Sequence, residues 1–280
     1  MDELPANVSA EPASNASAES MAEDSTKPVS NASIKPISKA LTNRAGCCLL
    51  VAAAPSNGMG LRHALSLCMP DKVVAVDGGL SALREAGIEP DAAYGDFDSL
   101  GFVPDANESG GELAVFEAHK DFTDLAWALE ETFRQGFNTA LVCNALSGRI
   151  DHTVANLQLL SRFAEEGRRV WLVGDEQTAV ALHAPGALNR LDFLPGAEGV
   201  CSVFAASPQA CGVSETGLEY TLDHAVLQST DPLGVSNELT KAPSSISVED
   251  GALWVFFPTA CLSLAVYAGA ALRDVEAQKA

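Results

Sequence analysis

The chain predicts an α/β fold in which a parallel-sheet domain precedes an antiparallel β-sandwich, and three observations lead there. Between residues 45 and 175, short apolar runs alternate with segments of helical spacing, the pattern of strands joined by crossover helices with both sheet faces covered. From 176 to 258 helical periodicity is absent and short apolar runs are separated by turn residues. Acidic clusters follow, or nearly follow, strand-like runs of the first half, the end of an open parallel sheet at which ligands bind.

Each element has a local reason. Cys47 to Ala54 is a continuous apolar run suited to a buried strand, and Leu61 to Cys68 is a short helix candidate. Lys72 to Val76 is a second strand, followed by Asp77-Gly78-Gly79; Leu80 to Ala86 has helical spacing and stops at Gly87, a good C-terminal glycine. Ala92 to Tyr94 leads into Gly95-Asp96-Phe97-Asp98-Ser99, and Leu113 to Phe116 is a further strand. Thr123 can cap a helix running to about Gln135, with Leu125, Ala128, Leu129 and Phe133 on one face. Leu141 to Ala145 is the next strand; Asp151 to Glu166 reads as a helix with Val154, Leu157, Leu160 and Phe163 inward. Val170 to Val173 closes the series at Gly174-Asp175. The second half offers Thr178–His183, Val200–Ala205, Leu218–Leu222 and Leu253–Phe257 as strands.

The domains follow: residues 1–44, rich in Ser, Ala and Asn, read as a disordered leader; 45–175 as a Rossmann-like α/β domain; 176–258 as the sandwich; and 259–280 as an extension, with Cys261 to Val275 suited to a final helix. The formal net charge is −20, of which residues 1–44 supply only −2. So acidic a body argues against a nucleic-acid partner, which needs a basic footprint. Seven cysteines without a C-x-x-C suit reduced thiols in a cytoplasmic protein better than a disulfide framework or zinc site. No apolar stretch reaches a membrane span, and the start lacks the regions of a signal peptide.

The chemistry lies in four clusters: Asp77-Gly78-Gly79, Gly95-Asp96-Phe97-Asp98-Ser99, Lys120-Asp121-Phe122-Thr123-Asp124 and Gly148-Arg149-Ile150-Asp151-His152. Singly, each has a structural explanation, since an Asp after a strand often caps the next helix. Together they gather carboxylates that repel one another unless a cation sits among them. Hard oxygen ligands suit Mg²⁺, which usually arrives with a polyphosphate, so the pattern points to nucleotide phosphate chemistry. Other motifs fail. Asp96–Glu108 places Leu100 and Asn107 where a calcium loop needs ligands, and Pro55–Gly60 lacks the Lys-Ser/Thr end of a P-loop. No G-x-G-x-x-G opens a helix after a strand, the histidines lack metal-ligand spacing, and G-x-S-x-G is absent.

The ordered set closely resembles the thiamine pyrophosphokinase family. Besides the clusters, Gly87-x-x-Pro90-Asp91, Asn156, Gly217-Leu218-x-Tyr220-x-Leu222 and Gly234-Val235-Ser236-Asn237-Glu238 match its pattern, over about residues 46–258. The resemblance implies a homodimer whose active sites lie at the interface, between the α/β domain of one subunit and the β domain of the other. It implies transfer of the terminal diphosphate of ATP to the hydroxyl of thiamine, releasing AMP and using Mg²⁺. On that basis Asp77, Asp96, Asp98, Asp121 and Asp124 are candidates for holding Mg²⁺ and accepting the hydroxyl proton. Arg149 is a candidate for the phosphates, and Lys120, Asp151 and His152 for ATP. Ser236, Asn237 and Tyr220 are candidates for thiamine, although a polar turn and a core tyrosine explain them as well. Two other functions compete: a diphosphotransferase acting on a hydroxymethyl-pterin, and a non-catalytic thiamine or nucleotide sensor. The β-domain motifs disfavour the first, and the complete set of carboxylates the second. The family's Gly-Gly-Arg is Ser147-Gly148-Arg149 here, which adds a side chain at a tight turn.

Overall fold

Ten strands form one continuous sheet in a computed structural model that describes residues 46–105, 111–116 and 121–268. The first half contributes β1 (Cys47–Val51), α1 (Met59–Leu67), β2 (Lys72–Val76), α2 (Gly79–Glu85), β3 (Ala92–Gly95), β4 (Glu112–Val115), α3 (Asp124–Arg134), β5 (Thr139–Cys143), α4 (Ile150–Glu165) and β6 (Arg169–Val173). These six strands are parallel, in the order β6-β5-β1-β2-β3-β4. The central strands β1 and β5 are buried along their whole length, which is why they read as uninterrupted apolar runs.

The second half contributes β7 (Gln177–Ala184), β8 (Arg190–Phe193), β9 (Glu198–Ala205), β10 (Gln209–Thr216), β11 (Leu222–Gln228), β12 (Asn237–Thr240), β13 (Ser244–Ser247), β14 (Gly251–Pro258) and β15 (Ala265–Tyr267). The chain turns back at Gly174–Glu176, so β7 pairs antiparallel with β6 and the sheet continues through β14 and β9 to β12. The other five strands form a second sheet, β11-β10-β13-β8-β15. Aromatic contacts join the two faces: Phe193 on Phe257 at 5.2 Å, and Tyr267 on Trp171 at 5.1 Å, with the Tyr267 hydroxyl donating to Ala181 O at 3.0 Å. The sandwich therefore borrows one of its layers from the extended α/β sheet.

Helix α3 begins at Thr123, whose Oγ1 accepts from Ala126 N at 3.2 Å, and buries Leu125, Ala128, Leu129 and Phe133 as the spacing predicts. In α4 Leu160 and Phe163 are buried, but Val154 is 45% exposed and Asn156 is buried instead. The first turns of α4 border a cavity rather than the core. The helix expected from Cys261 also differs: Thr259–Leu264 is a 3₁₀ helix, and Ala265–Tyr267 pairs with β8. The second half supplies sheet partners that override the helical preference of this Ala- and Leu-rich stretch. No disulfide joins the seven cysteines among the described residues, and six of the seven are buried. The expected leader, Lys120 and residues 269–280 lie outside the described residues.

Candidate active site

A cavity of about 440 Å³ opens at the carboxyl ends of the parallel strands. It straddles the boundary between β1 and β5, from which successive connections run outward in opposite directions, the crevice where such sheets take ligands. One wall is Ala52–Pro55, after β1; Asp77, Asp96 and Asp98 stand beyond β2 and β3; Asn144 to Arg149 come from the end of β5. Thr123 and Asp124 at the start of α3, and His152 and Asn156 on α4, complete it.

The backbone fixes the acids. Asp77 adopts a left-handed conformation (φ 50°), with its N–H donating to Tyr94 O at 2.8 Å. Phe97 is left-handed too (φ 58°) and is 1% exposed. Burying the Phe97 ring anchors the tight turn that carries Asp96 and Asp98 on either side of it. Neighbouring glycines permit the approach: a Cβ on Gly95 would lie 2.9 Å from Asp77 Cα, and one on Gly79 would lie 1.8 Å from Val51 O. Left-handed non-glycine residues cost free energy and persist where the surroundings over-determine them. Here they bring carboxylate oxygens of Asp77, Asp96 and Asp98 within 4.8 Å of one another. Three carboxylates that close, on a fixed backbone, fit a hard cation with oxygen ligands.

The remaining candidates divide. Asp124 lines the cavity from the first turn of α3. Asp121 is exposed and lies outside the lining. Arg149 lines the cavity, with its Nη2 and Nε donating to Asp151 at 2.6 and 3.2 Å. That pairing holds the Asp151 carboxyl below its ordinary range and raises the guanidinium further. Asp151 sits in the first turn of α4 and not at its cap, which is Arg149. His152 lines the cavity. Ser236, Asn237 and Tyr220 do not; they belong to the antiparallel half. Tyr220 is 68% exposed, so it is not a core residue. Ser236 is exposed and left-handed (φ 62°). Asn237 is buried, and its amide is fully used: Oδ1 accepts from Tyr220 N and Glu238 N, and Nδ2 donates to Tyr220 O and Glu215 Oε2.

Residues that sequence reasoning left without a role also shape the cavity. Asn156 Nδ2 donates to Ala145 O at 2.9 Å, and Asn144 takes the left-handed turn (φ 57°) at the end of β5. A buried Asn two residues after an exposed Val is the signal of that inverted helix face. Ser147 brings no backbone strain: the left-handed residue is Gly148 (φ 76°), where a Cβ would meet Pro55 Cδ at 2.8 Å. The Ser147 hydroxyl donates to Pro55 O, tying the β1 and β5 loops together.

Comparison with known proteins identifies relatives. Residues 67–172 match the family model for the thiamin pyrophosphokinase catalytic domain, and residues 190–253 match that for the thiamin pyrophosphokinase vitamin B1 binding domain. The thiamine pyrophosphokinase of Bacillus subtilis (strain 168) is 27% identical over 190 residues, 64% of this chain and 84% of the relative. Thiamin pyrophosphokinase 1 of Caenorhabditis elegans is 28% identical over 177 residues, 60% of this chain and 71% of the relative. Among solved structures, thiamin pyrophosphokinase from Geobacillus thermodenitrificans superposes with a TM-score of 0.62 at 26% identity, covering 76% of this chain and 97% of that one. The Bacillus subtilis structure gives a TM-score of 0.65 at 23% identity, covering 76% and 98%, and shares the fold.

Proposed function

Because the chain belongs to the thiamine pyrophosphokinase family, we propose that it transfers the terminal diphosphate of ATP to the primary hydroxyl of thiamine, giving thiamine diphosphate and AMP. The observation that carries the reading is the convergence of Asp77, Asp96 and Asp98 in a cavity at the sheet's switch point, with Arg149 and His152 also lining it. A pterin substrate is not favoured, because the second family match is to a vitamin B1 binding domain.

The hydroxyl oxygen of thiamine forms a bond to the β-phosphorus of ATP while the bond from that phosphorus to the AMP oxygen breaks. The hydroxyl proton passes to a carboxylate of the strand-end group, and AMP departs with the electrons of the broken bond. Asp77, Asp96 and Asp98 would hold Mg²⁺, with Asp124 on the same rim. Bound there, the ion supplies positive charge against the phosphate oxygens. Arg149 provides a planar fork of donors for the phosphates, exchanging Asp151 for phosphate oxygens as ATP enters. The carboxylates repel the polyphosphate until the cation is present, so nucleotide binding depends on metal.

Thiamine completes the site from a second subunit in this reading. Every residue lining the cavity precedes Asp175, and the candidates Tyr220 and Ser236 are exposed elsewhere on the same chain. A homodimer that lays one subunit's β surface over the other's cavity brings both substrates together. Seven cysteines with no disulfide among the described residues fit a reducing, cytoplasmic setting. Among the described residues, no helix is long and apolar enough to cross a membrane.

The test is product analysis with ATP, Mg²⁺ and thiamine. AMP and thiamine diphosphate are expected in equal amounts, and only when thiamine and metal are both present. ADP with thiamine monophosphate would overturn attack at the β-phosphorus.

A further inference from the structure

We propose that Asp175 is a positioning residue for the nucleotide: it fixes the loop after β1, and with it the Ala52–Pro55 wall of the cavity, without entering the cavity. The inference rests on the reading of the site as an ATP site. Asp175 follows β6 and falls between the two family-matched segments, which end at 172 and resume at 190.

The loop runs from Pro55 to the start of α1, and Asp175 ties it to the end of β6. Asp175 accepts from three of its groups: Ser56 Oγ at 2.8 Å and Gly60 N at 3.0 Å on Oδ1, and Asn57 N at 2.8 Å on Oδ2. The loop then closes on itself, Gly58 N donating to Ser56 Oγ and Met59 N to Asn57 Oδ1, both at 2.9 Å. Close contact makes the clamp possible. A Cβ on Gly60 would lie 2.6 Å from Gly174 O, so only glycine lets α1 start against the end of β6. Burial raises the Asp175 carboxyl, but the donors from Gly60, Asn57 and Ser56 outweigh it and hold it below the ordinary range.

The carboxylate sits at the positive end of α1, where a strand–loop–helix unit would otherwise take a phosphate. The chain supplies its own anion there. The polyphosphate is thereby left to the other side of the wall, facing the acids of β2 and β3. The wall's first residues are held by backbone, Ala52 N and Ala54 N donating to Cys143 O and Asn144 O at 3.0 and 3.1 Å, and its far end by side chains, Ser147 donating to Pro55 O while Asp175 holds the next residue, Ser56.

The experiment uses the full chain, Mg²⁺ and α,β-methylene-ATP, whose carbon bridge resists the proposed cleavage, with calorimetric binding beside steady-state kinetics. Asp175→Ala is expected to weaken nucleotide binding and raise the KM for ATP about tenfold, with kcat and the KM for thiamine within twofold. Asp175→Asn keeps an acceptor for Gly60 but sets a donor against Asn57, so a rise of about threefold is expected. It decides the matter if the alanine variant does not fold. Nucleotide affinity within twofold of the parent in a folded variant would overturn the proposal. So would a fall in kcat at unchanged KM, which marks a loss of active protein. A parent that binds no nucleotide would overturn the reading of the site and this inference together, whereas parental binding with unaffected variants overturns the inference alone.

Discussion

The strand-end group of Asp77, Asp96 and Asp98 and the buried pair of Glu215 and Asn237, with the Tyr220 backbone, use similar polar residues to opposite ends. In the first, carboxylates converge on a cavity, and what fixes them is backbone: left-handed turns and glycines in close contact. In the second, Asn237 spends all four of its hydrogen-bonding positions inside the protein, two of them on the N–H and C=O of Tyr220, as a neighbouring strand would. Its fourth partner is Glu215, 1% exposed, whose other oxygen has no hydrogen-bond partner among the described residues. The first group is open to an external charge; in the second, the Asn237 amide is already spent on shape. Residue type does not separate them, but burial and saturation do.

The sharpest way to break that comparison is at the backbone of the first group. Gly79→Ala places a methyl 1.8 Å from Val51 O, and the end of β1 or the start of α2 must move. A loss on the order of 4 kcal/mol or more is expected, read as little soluble protein or a collapse of the denaturant midpoint. Normal stability would mean that Asp77 is not held by the packing described. Asn237→Ala comes next. It strips partners from the Tyr220 backbone and from Glu215, at about 1–3 kcal/mol for each buried group left unpaired. A drop in melting temperature should dominate, with little change in the KM for ATP. A stable variant with a raised KM for thiamine would instead make Asn237 a ligand.

Asp98→Asn tests the converse. Asp98 is exposed and belongs to the cavity, so the melting temperature should stay within about 2 °C while turnover falls roughly a hundredfold, about 2.7 kcal/mol of transition-state stabilisation. Near-normal turnover would remove Asp98 from the site.

The sequence displays the first group far better than the second, for a physical reason. An acid flanked by glycine after an apolar run is a local signature of a strand end, so the acids and the helix capped by Thr123 are legible without tertiary knowledge. The role of Asn237 depends on contacts 17 and 22 residues away, and that of Asp175 on a loop 115 to 119 residues away. Gly174-Asp175 marks the end of β6 locally, but neither residue's partners leave a local trace. The continuation of one sheet past residue 175 was hidden likewise, because a strand pattern does not say which sheet the strand joins. Val154 followed the helical period and still faces outward, since the period fixes a face but not what lies against it.

The smallest expected effect sharpens the comparison most cleanly, because it turns on charge alone. Glu215 is buried with one donor, from Asn237, and burial raises its carboxyl above the ordinary value of 4.5 by more than that bond lowers it. Below that value both the folded and unfolded chains carry the proton, and Glu215 behaves as a neutral acid. As pH rises through it, the unfolded chain ionises first while the folded one holds its proton. Unfolding then becomes easier, and stability falls until the folded group ionises too. Glu215→Gln keeps the acceptor for Asn237 and removes the titration. At pH 4 the two proteins should melt within about a degree of each other, while at pH 8 the Gln variant should melt about 2–4 °C higher, for about 1 kcal/mol in a domain of this size. A Gln variant that melts lower at pH 8 would mean that the Glu215 charge is met by a favourable partner, and the second group would then resemble the first.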